Sequence, residues 1–422
     1  MHITPIAISD PPLLNAGGLH APYALRTVVE LVTDDGIQGV AEVPGNERTN
    51  RALQAARKVV LGWDPFHVRP LLMAIQRGLD AGAGAAPEQP WGRGHRVQAQ
   101  SAVDVACYDI MGKATDRPVV DLLGGPVRRR VPFAAYLFYK PQGAGGELGF
   151  DIDPDATGWP AARQRQAMTP DELVAQARAM VETFGFQSLK LKGGVFEPEL
   201  EVATIDALRD AFGPDVPLRI DPNAVWRVDT AIAWGRRMRG VLEYYEDPVR
   251  GQENMAAVRQ ALDIPLATNM CTTSFAHLPG SIRLGSEDII LADHHAWGGL
   301  TASIELGRVC TTFGRKLSMH SNSHLDISLA AMTHLAAALP ALNYAADTHY
   351  PWQSEPIVTR GRFVFEDGAL TVPDAPGLGV ELDHEALARL HANYQACGLT
   401  RRDDEAEMQK LQPGWRMTPT RW

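Results

Sequence analysis

Gln187–Asp221 reads QSLKLKGGVFEPELEVATIDALRDAFGPDVPLRID, and it holds one complete unit of the architecture. A short apolar run is followed by a longer helix-type stretch, a glycine stop at Gly213, and a second apolar run. In Leu189-Lys190-Leu191-Lys192, strand alternation turns both leucines to one face and both lysines to the other. Working outward, the apolar runs recur as Val131–Tyr139, Gln187–Lys192, Val216–Asp221, Val241–Glu246, Pro265–Asn269, Asp288–Asp293, Lys316–His320 and Tyr344–Asp347. After the first, successive starts lie 23 to 29 residues apart. The first gap is longer and holds a Gly- and Asp-rich insertion near Gly143–Arg165.

The segments between runs read as helices. Thr169-Pro170-Asp171-Glu172 is a capping box with proline in the first turn. Leu173, Ala177, Met180, Val181 and Phe184 then follow helical spacing until Gly185. Strands alternating so evenly with helices predict an α/β chain with a parallel (β/α)8-type barrel over residues 131–360, since an open doubly wound sheet rarely keeps that period. Residues 1–130 differ. Arg26–Thr33 and Gly36–Val43 flank a turn at Asp34-Asp35-Gly36, and helices follow at Asn50–Leu61 and Gln98–Ala114. Residues 361–422 hold a second short hairpin (Arg362–Val372) and a helix near His384–Cys397. The two termini are expected to form one α+β capping domain packed on the barrel.

With 422 residues, 45% hydrophobic and 21% charged, the chain has the composition of an ordinary soluble globular protein. A net charge of −10 argues against a nucleic-acid partner, while leaving room for a small anionic substrate held by local cations. Met1–Pro5 carries no basic segment leading into an apolar core, so no signal peptide is expected. No run approaches the ~20 apolar residues of a membrane helix. Cys107, Cys271, Cys310 and Cys397 are widely separated, which suits buried thiols in a reducing compartment, and the cytoplasm is the expected location.

Barrel enzymes place their chemistry at the C-terminal strand ends. If the leucines of LKLK face the helices, Lys190 and Lys192 point into the barrel, roughly 7 Å apart. Two enclosed ammonium groups are expected to depress each other's pKa, which suits one to act as a base. The bland alternative is an exposed edge strand with solvated lysines. The next strands end in Asp221, Glu246 and Asn269, spaced 25 and 23 residues apart. One such residue is an ordinary strand-end cap; three oxygen donors on consecutive strands suit Mg²⁺. The sixth strand ends in Asp293 and the seventh in His320. A carboxylate beside an imidazole fixes its tautomer and raises its basicity, although a lone histidine is more often structural.

These residues resemble the enolase superfamily, and within it the glucarate dehydratase subgroup. The matching stretches are Leu189–Gly194 (LKLKGG), Asp221–Ala224 (DPNA), Glu246–Pro248 (EDP), Ala267–Thr272 (ATNMCT) and His320–Leu329 (HSNSHLDISL). Others are His20–Pro22, Tyr136–Phe138, Asp347–His349, Pro376–Glu381, Leu399–Asp404 and Pro413–Trp415. The resemblance implies the (β/α)7β form of a TIM-like barrel, and that Asp221, Glu246 and Asn269 hold Mg²⁺. It makes Lys192 the base on one face of the substrate, and His320, paired with Asp293, the base on the other. Lys190 and Asn223 polarise the substrate, and His20, Ser101, Tyr136, Ser321, Asn322, His349 and Arg402 contact its carboxylates and hydroxyls. Ser101 stands where the family usually has threonine, so the hydroxyl is kept. The implied activity is Mg²⁺-dependent dehydration of an acid sugar, D-glucarate or L-idarate, to 5-dehydro-4-deoxy-D-glucarate. It proceeds by α-proton abstraction, enediolate stabilisation and β-elimination. Capping loops are expected near Ala81–Ala86 and Gly143–Arg165, and a homo-oligomer is expected.

Two rival readings stay open. One is another acid-sugar dehydratase or a racemase of the same superfamily; the other is a barrel that only binds an acid ligand. Gly143-Ala144-Gly145 is not a dinucleotide loop, because the third glycine falls at Gly149 and an acidic loop follows. His320 and His324 have metalloprotease-like spacing but lack the helix and glutamate of that motif, and His294 and His295 read as ordinary loop histidines.

Overall fold

The computed structural model describes residues 1–81, 94–148 and 155–422. The run Ala81–Ala86 beyond its first residue, and Gly149 with the rest of 149–154 in the insertion, lie outside the described residues.

The chain opens with β1 (His2–Ser9), a small hairpin of β2 (Leu13–Asn15) and β3 (Gly18–His20), then β4 (Tyr23–Val32) and β5 (Gln38–Pro44). β4 is the centre of an antiparallel β1–β4–β5 sheet, and Gly36, with φ of 82°, permits the turn between β4 and β5. Helix His95–Ala114 lies along β5. From the other end of the chain, helix His384–Cys397 packs on β1 and helix Asp404–Leu411 on β3.

The barrel strands are β6 (Arg130–Phe138), β7 (Leu189–Lys192), β8 (Leu218–Asp221), β9 (Leu242–Glu246), β10 (Leu266–Thr268), β11 (Ile289–Leu291), β12 (Lys316–Ser318) and β13 (Ala346–Thr348). Each pairs in parallel with the next through β12, and β13 pairs with β6. Between β12 and the segment entering β13 closure is made by scattered bonds, among them Leu317 N to Ala341 O (3.0 Å), Asn343 N to Leu317 O (3.1 Å) and Asp347 N to Met319 O (2.8 Å). Seven helical crossovers link the eight strands; among the described residues those after β6 and β11 each carry an extra short helix, Gly158–Ala162 and His294–Trp297, and β13 runs into a 3₁₀ turn at Tyr350–Trp352, giving the expected (β/α)7β order. The helix Pro170–Phe184 starts on the predicted capping box and stops at left-handed Gly185, φ 72°.

The hairpin expected in Arg362–Val372 contracts to one bridge, Glu366 to Ala369. β6 begins before its parallel partners do, and β14 (Ala369–Thr371) pairs antiparallel with that overhang at Arg130–Pro132. A ready strand edge offers more backbone partners than the chain's own short return. No helix among the described residues is long and apolar enough to cross a membrane.

Candidate active site

All four residues of the LKLK strand are buried. Lysines tolerate this only with charge partners, and the neighbouring strands provide them. Register places Lys192 beside Asp221, and their Nζ and Oδ2 atoms are 2.6 Å apart. Lys190 Nζ lies 2.6 Å from Asp347 Oδ2 on β13 and 2.5 Å from Glu246 Oε2 on β9. It also sits 4.6 Å over the Tyr136 ring. Arg219 joins the same group through Asp347 Oδ1 at 3.4 Å. The expected mutual depression of the two lysines is therefore overturned. Burial pulls Lys190 downward, but Asp347 and Glu246 outweigh it and hold its pKa well above the ordinary value. Lys192 is raised in the same way, with Asp221 overcoming burial.

Asp221, Glu246 and Asn269 sit at or just past the tips of β8, β9 and β10, all buried. Asp221 and Glu246 each follow the register pair Ile220–Tyr245, and Glu246 pairs with Ala267, two residues before Asn269. Both Glu246 carboxylate oxygens lack a hydrogen bond of proper geometry, despite the nearby lysine. Burial raises the Glu246 carboxyl well above its ordinary range. Oε2 meets only the Lys190 charge and Oε1 has no hydrogen-bond partner among the described residues; with the Asp221 and Asn269 oxygens this is a donor set that a hard divalent cation would complete, so the residues fit Mg²⁺. The backbone around them is strained: Asn223 and Ala224 have φ of 59°, and Asp247 has φ of 34°. Asn223 Nδ2 lies 3.5 Å from Asp221 Oδ1 and 3.5 Å from Met270 Sδ, tying the loops after β8 and β10 together. Asp247 accepts from Asn269 N at 2.8 Å and from Thr268 Oγ1 at 2.5 Å, which fixes the Asn269 turn.

Across the barrel, His320 Nδ1 is 3.2 Å from Asp293 Oδ2. Asp293 also binds His295, a residue whose spacing in the sequence gave no sign of a role: Oδ1 lies 2.9 Å from His295 N and 2.9 Å from His295 Nδ1. Asp293, His294 and His295 have ligand atoms within 4.8 Å of one another. Both His295 nitrogens are engaged, however, and Arg26 Nη2 stands 3.4 Å from Nε2, an environment for hydrogen bonds rather than a cation.

The expected substrate-contact residues fall into groups. Tyr136 OH, His20 Nδ1 and His349 Nδ1 are buried without hydrogen-bond partners. The His349 ring lies 4.9 Å from Tyr136 and 6.3 Å from His20. Burial pushes His20 down to about 3 and His349 well below its usual value. His20 Nε2 is 3.4 Å from Asp404 Oδ2, and Asp404 Oδ1 accepts from Arg402 Nε at 2.6 Å, which brings the C-terminal segment to this corner. Ser321 Oγ accepts from His349 N at 3.0 Å, and Asn322 Oδ1 from Arg26 Nη1 at 3.3 Å. Ser101 is buried in helix His95–Ala114 with its hydroxyl unbonded, and no hydrogen bond among the described residues ties it to the others.

Fold and site together define a barrel enzyme with lysines, an Asp–His pair and oxygen donors gathered at the strand ends. The family Enolase C-terminal domain-like matches residues 172–386, and the family Mandelate racemase / muconate lactonizing enzyme, N-terminal domain matches residues 19–124. The chain belongs to the enolase superfamily and is glucarate dehydratase-like within it. It is 44% identical to a probable glucarate dehydratase of Streptomyces coelicolor, over 100% of this chain and 98% of that one. An enolase structure from Mycobacterium smegmatis complexed with tartrate is 47% identical with a TM-score of 0.91, covering 100% of this chain and 97% of that one. Another, from Thermobispora bispora complexed with magnesium and formate, is 48% identical with a TM-score of 0.90, covering 98% and 97%.

Proposed function

We propose that the protein is a Mg²⁺-dependent acid-sugar dehydratase that converts D-glucarate and L-idarate to 5-dehydro-4-deoxy-D-glucarate. The observation that carries this reading is a pair of candidate bases, Lys192 on β7 and His320 just after β12, on strands that flank the donor strands β8 to β10 in the sheet order. The 44% identity to a probable glucarate dehydratase, and the magnesium and tartrate bound by similar structures, support it. Asp221, Glu246 and Asn269 would hold the cation. When bound, it would supply positive charge at the substrate carboxylate and offset the carboxylates that keep protons on the lysines.

Lys192 takes the proton from the carbon beside the carboxylate, and Lys190 donates to the carboxylate as charge builds there. His320, oriented by Asp293, gives a proton to the hydroxyl on the next carbon. That C–O bond breaks as the new C=C bond forms, water leaves, and the resulting enol ketonises. With the epimeric substrate His320 takes the α-proton instead, so bases on both faces also permit epimerisation. Tyr136, His20 and His349 offer unpaired polar atoms to the rest of the sugar acid. The free thiols of the described chain suit the cytoplasm.

The test is a panel of aldaric and aldonic acids assayed for keto-acid formation with Mg²⁺ and with EDTA. D-glucarate should turn over with Mg²⁺ only. Turnover of a different sugar acid alone would reassign the substrate, and activity untouched by EDTA would remove the metal-dependent reading.

A further inference from the structure

His295 has no part in the chemistry above, yet it is one of the most thoroughly held side chains near it. Its backbone N and its Nδ1 both meet Asp293 Oδ1, each at 2.9 Å, while the other oxygen of the same carboxylate faces His320. A carboxylate only accepts, so His295 Nδ1 carries the hydrogen. On the far side of the ring, Nε2 lies 3.0 Å from Ser328 Oγ, 2.9 Å from the Glu42 carbonyl and 3.4 Å from Arg26 Nη2. With the hydrogen on Nδ1, Nε2 accepts from Ser328 Oγ, so the ring is held at both edges and helps to fix the carboxylate it bonds.

The anchors come from the N-terminal sheet. Arg26 on β4 and Glu42 on β5 form a buried ion pair at 2.8 Å. The Glu42 carboxylate accepts from Leu325 N (2.8 Å) and Ser328 N (3.1 Å), the start of the helix that follows the His320 loop. Arg26 reaches Asn322 in that loop as well. Among the described residues Lys192 has no share in this network; it pairs with Asp221. The two bases are therefore supported by separate frameworks.

We propose that His295 is a positioning residue that acts through Asp293 to set the orientation of His320, governing elimination while leaving proton removal by Lys192 untouched. This rests on the dehydratase reading above. Without the ring, Asp293 Oδ1 keeps the His295 backbone N but loses the imidazole, so the carboxylate is held less firmly and the His320 imidazole loses part of its fixed direction. Partners that orient metal-ligating histidines typically carry a ten- to hundredfold effect, and an effect of about that size is expected for this histidine.

The experiment uses the full-length Mg²⁺-loaded enzyme with D-glucarate in D₂O. Two rates are followed by NMR: keto-acid formation, and deuterium entry into unreacted substrate. In His295→Phe, keto-acid formation should fall about ten- to hundredfold, with KM and deuterium entry near wild type. His295→Gln, which keeps a donor toward Asp293, should recover part of the loss. Ser328→Ala removes one anchor and should shift the ratio the same way by less, so it carries the test if His295→Phe does not fold. Variants in which both rates fall together, or in which the ratio stays at the wild-type value, overturn the role of His295. Wild-type protein that neither exchanges nor eliminates with any sugar acid overturns the dehydratase reading instead.

Discussion

Lys190 draws its partners from strands far apart in the chain, Glu246 on β9 and Asp347 on β13, and both are fully buried. That is why reading LKLK alone misjudges its charge: the sequence shows a second lysine two residues away, and the decisive carboxylate lies 157 residues downstream. Removing one partner from such a buried group typically costs about 3–5 kcal/mol, because the remaining charge keeps its desolvation penalty. Asp347→Ala should show a loss of that size in urea unfolding. The candidate bases predict a different signature. Lys192→Ala and His320→Asn should each lower kcat by about 10²–10⁴-fold, the usual contribution of an acid–base group, with far-UV circular dichroism unchanged. Near-normal turnover in either variant would reject its assignment. The strand-tip residues were legible because each ends a predicted strand. His295 was not, because its role comes from contacts with Asp293, Glu42 and Arg26 that span up to 269 residues.

The helix Asp326–Ala338 follows the His320 loop, and every one of its residues is buried. Periodicity cannot assign a face to such an element, so its contacts had to be seen. His334 fastens it to the capping segments: Nδ1 accepts from Val120 N at 3.2 Å, and Nε2 lies 3.1 Å from the Leu378 carbonyl. This arrangement requires a neutral ring with its hydrogen on Nε2. Burial lowers the His334 pKa from 6.5 to about 4. Between those values the unfolded imidazole binds a proton that the folded one refuses, so stability is full above pH 6.5 and declines as pH falls toward 4. A shift of that extent corresponds to about 3 kcal/mol. His334→Gln keeps an acceptor and a donor but does not titrate, so its Tm should fall less than wild type between pH 7 and pH 4.5. Equal slopes would show that His334 is not the group responsible. The eight barrel strands were legible for the opposite reason: glycine stops and short apolar runs mark each of them locally. The hairpin at Arg362–Val372 failed because the exposed edge of β6 competes for the same backbone.

At the scale of the molecule, the C-terminal segment ties together loops that the barrel alone leaves apart. Arg421 N donates to Val225 O at 2.8 Å, and Arg421 Nη1 donates to Gly194 O at 2.9 Å. Its other guanidinium nitrogen reaches Ala16 O in the hairpin that carries His20, and Arg227 N donates to Trp422 O. One residue thus holds the loop after Lys192, the loop after Asp221 and Asn223, and the edge of the His20 corner. Gly194 is buried and left-handed at φ 73°, and a Cβ there would meet Pro222 O at 2.3 Å, so that loop has one tight packing and little room to drift. Misplacing reacting groups by about 1 Å can cost about 10²-fold, so loosening this tie should damage catalysis more than stability. Arg421→Ala, and a chain cut after Thr420, should lower kcat/KM on the preferred sugar acid about ten- to hundredfold. Tm should change little, because the barrel core is untouched. Backbone amides of 193–196 and 222–226 should exchange hydrogen faster, and Arg421→Lys should restore only part of the activity, since an ammonium lacks the fork that reaches two carbonyls at once. Wild-type kcat/KM in both variants would mean that the barrel loops hold their positions unaided.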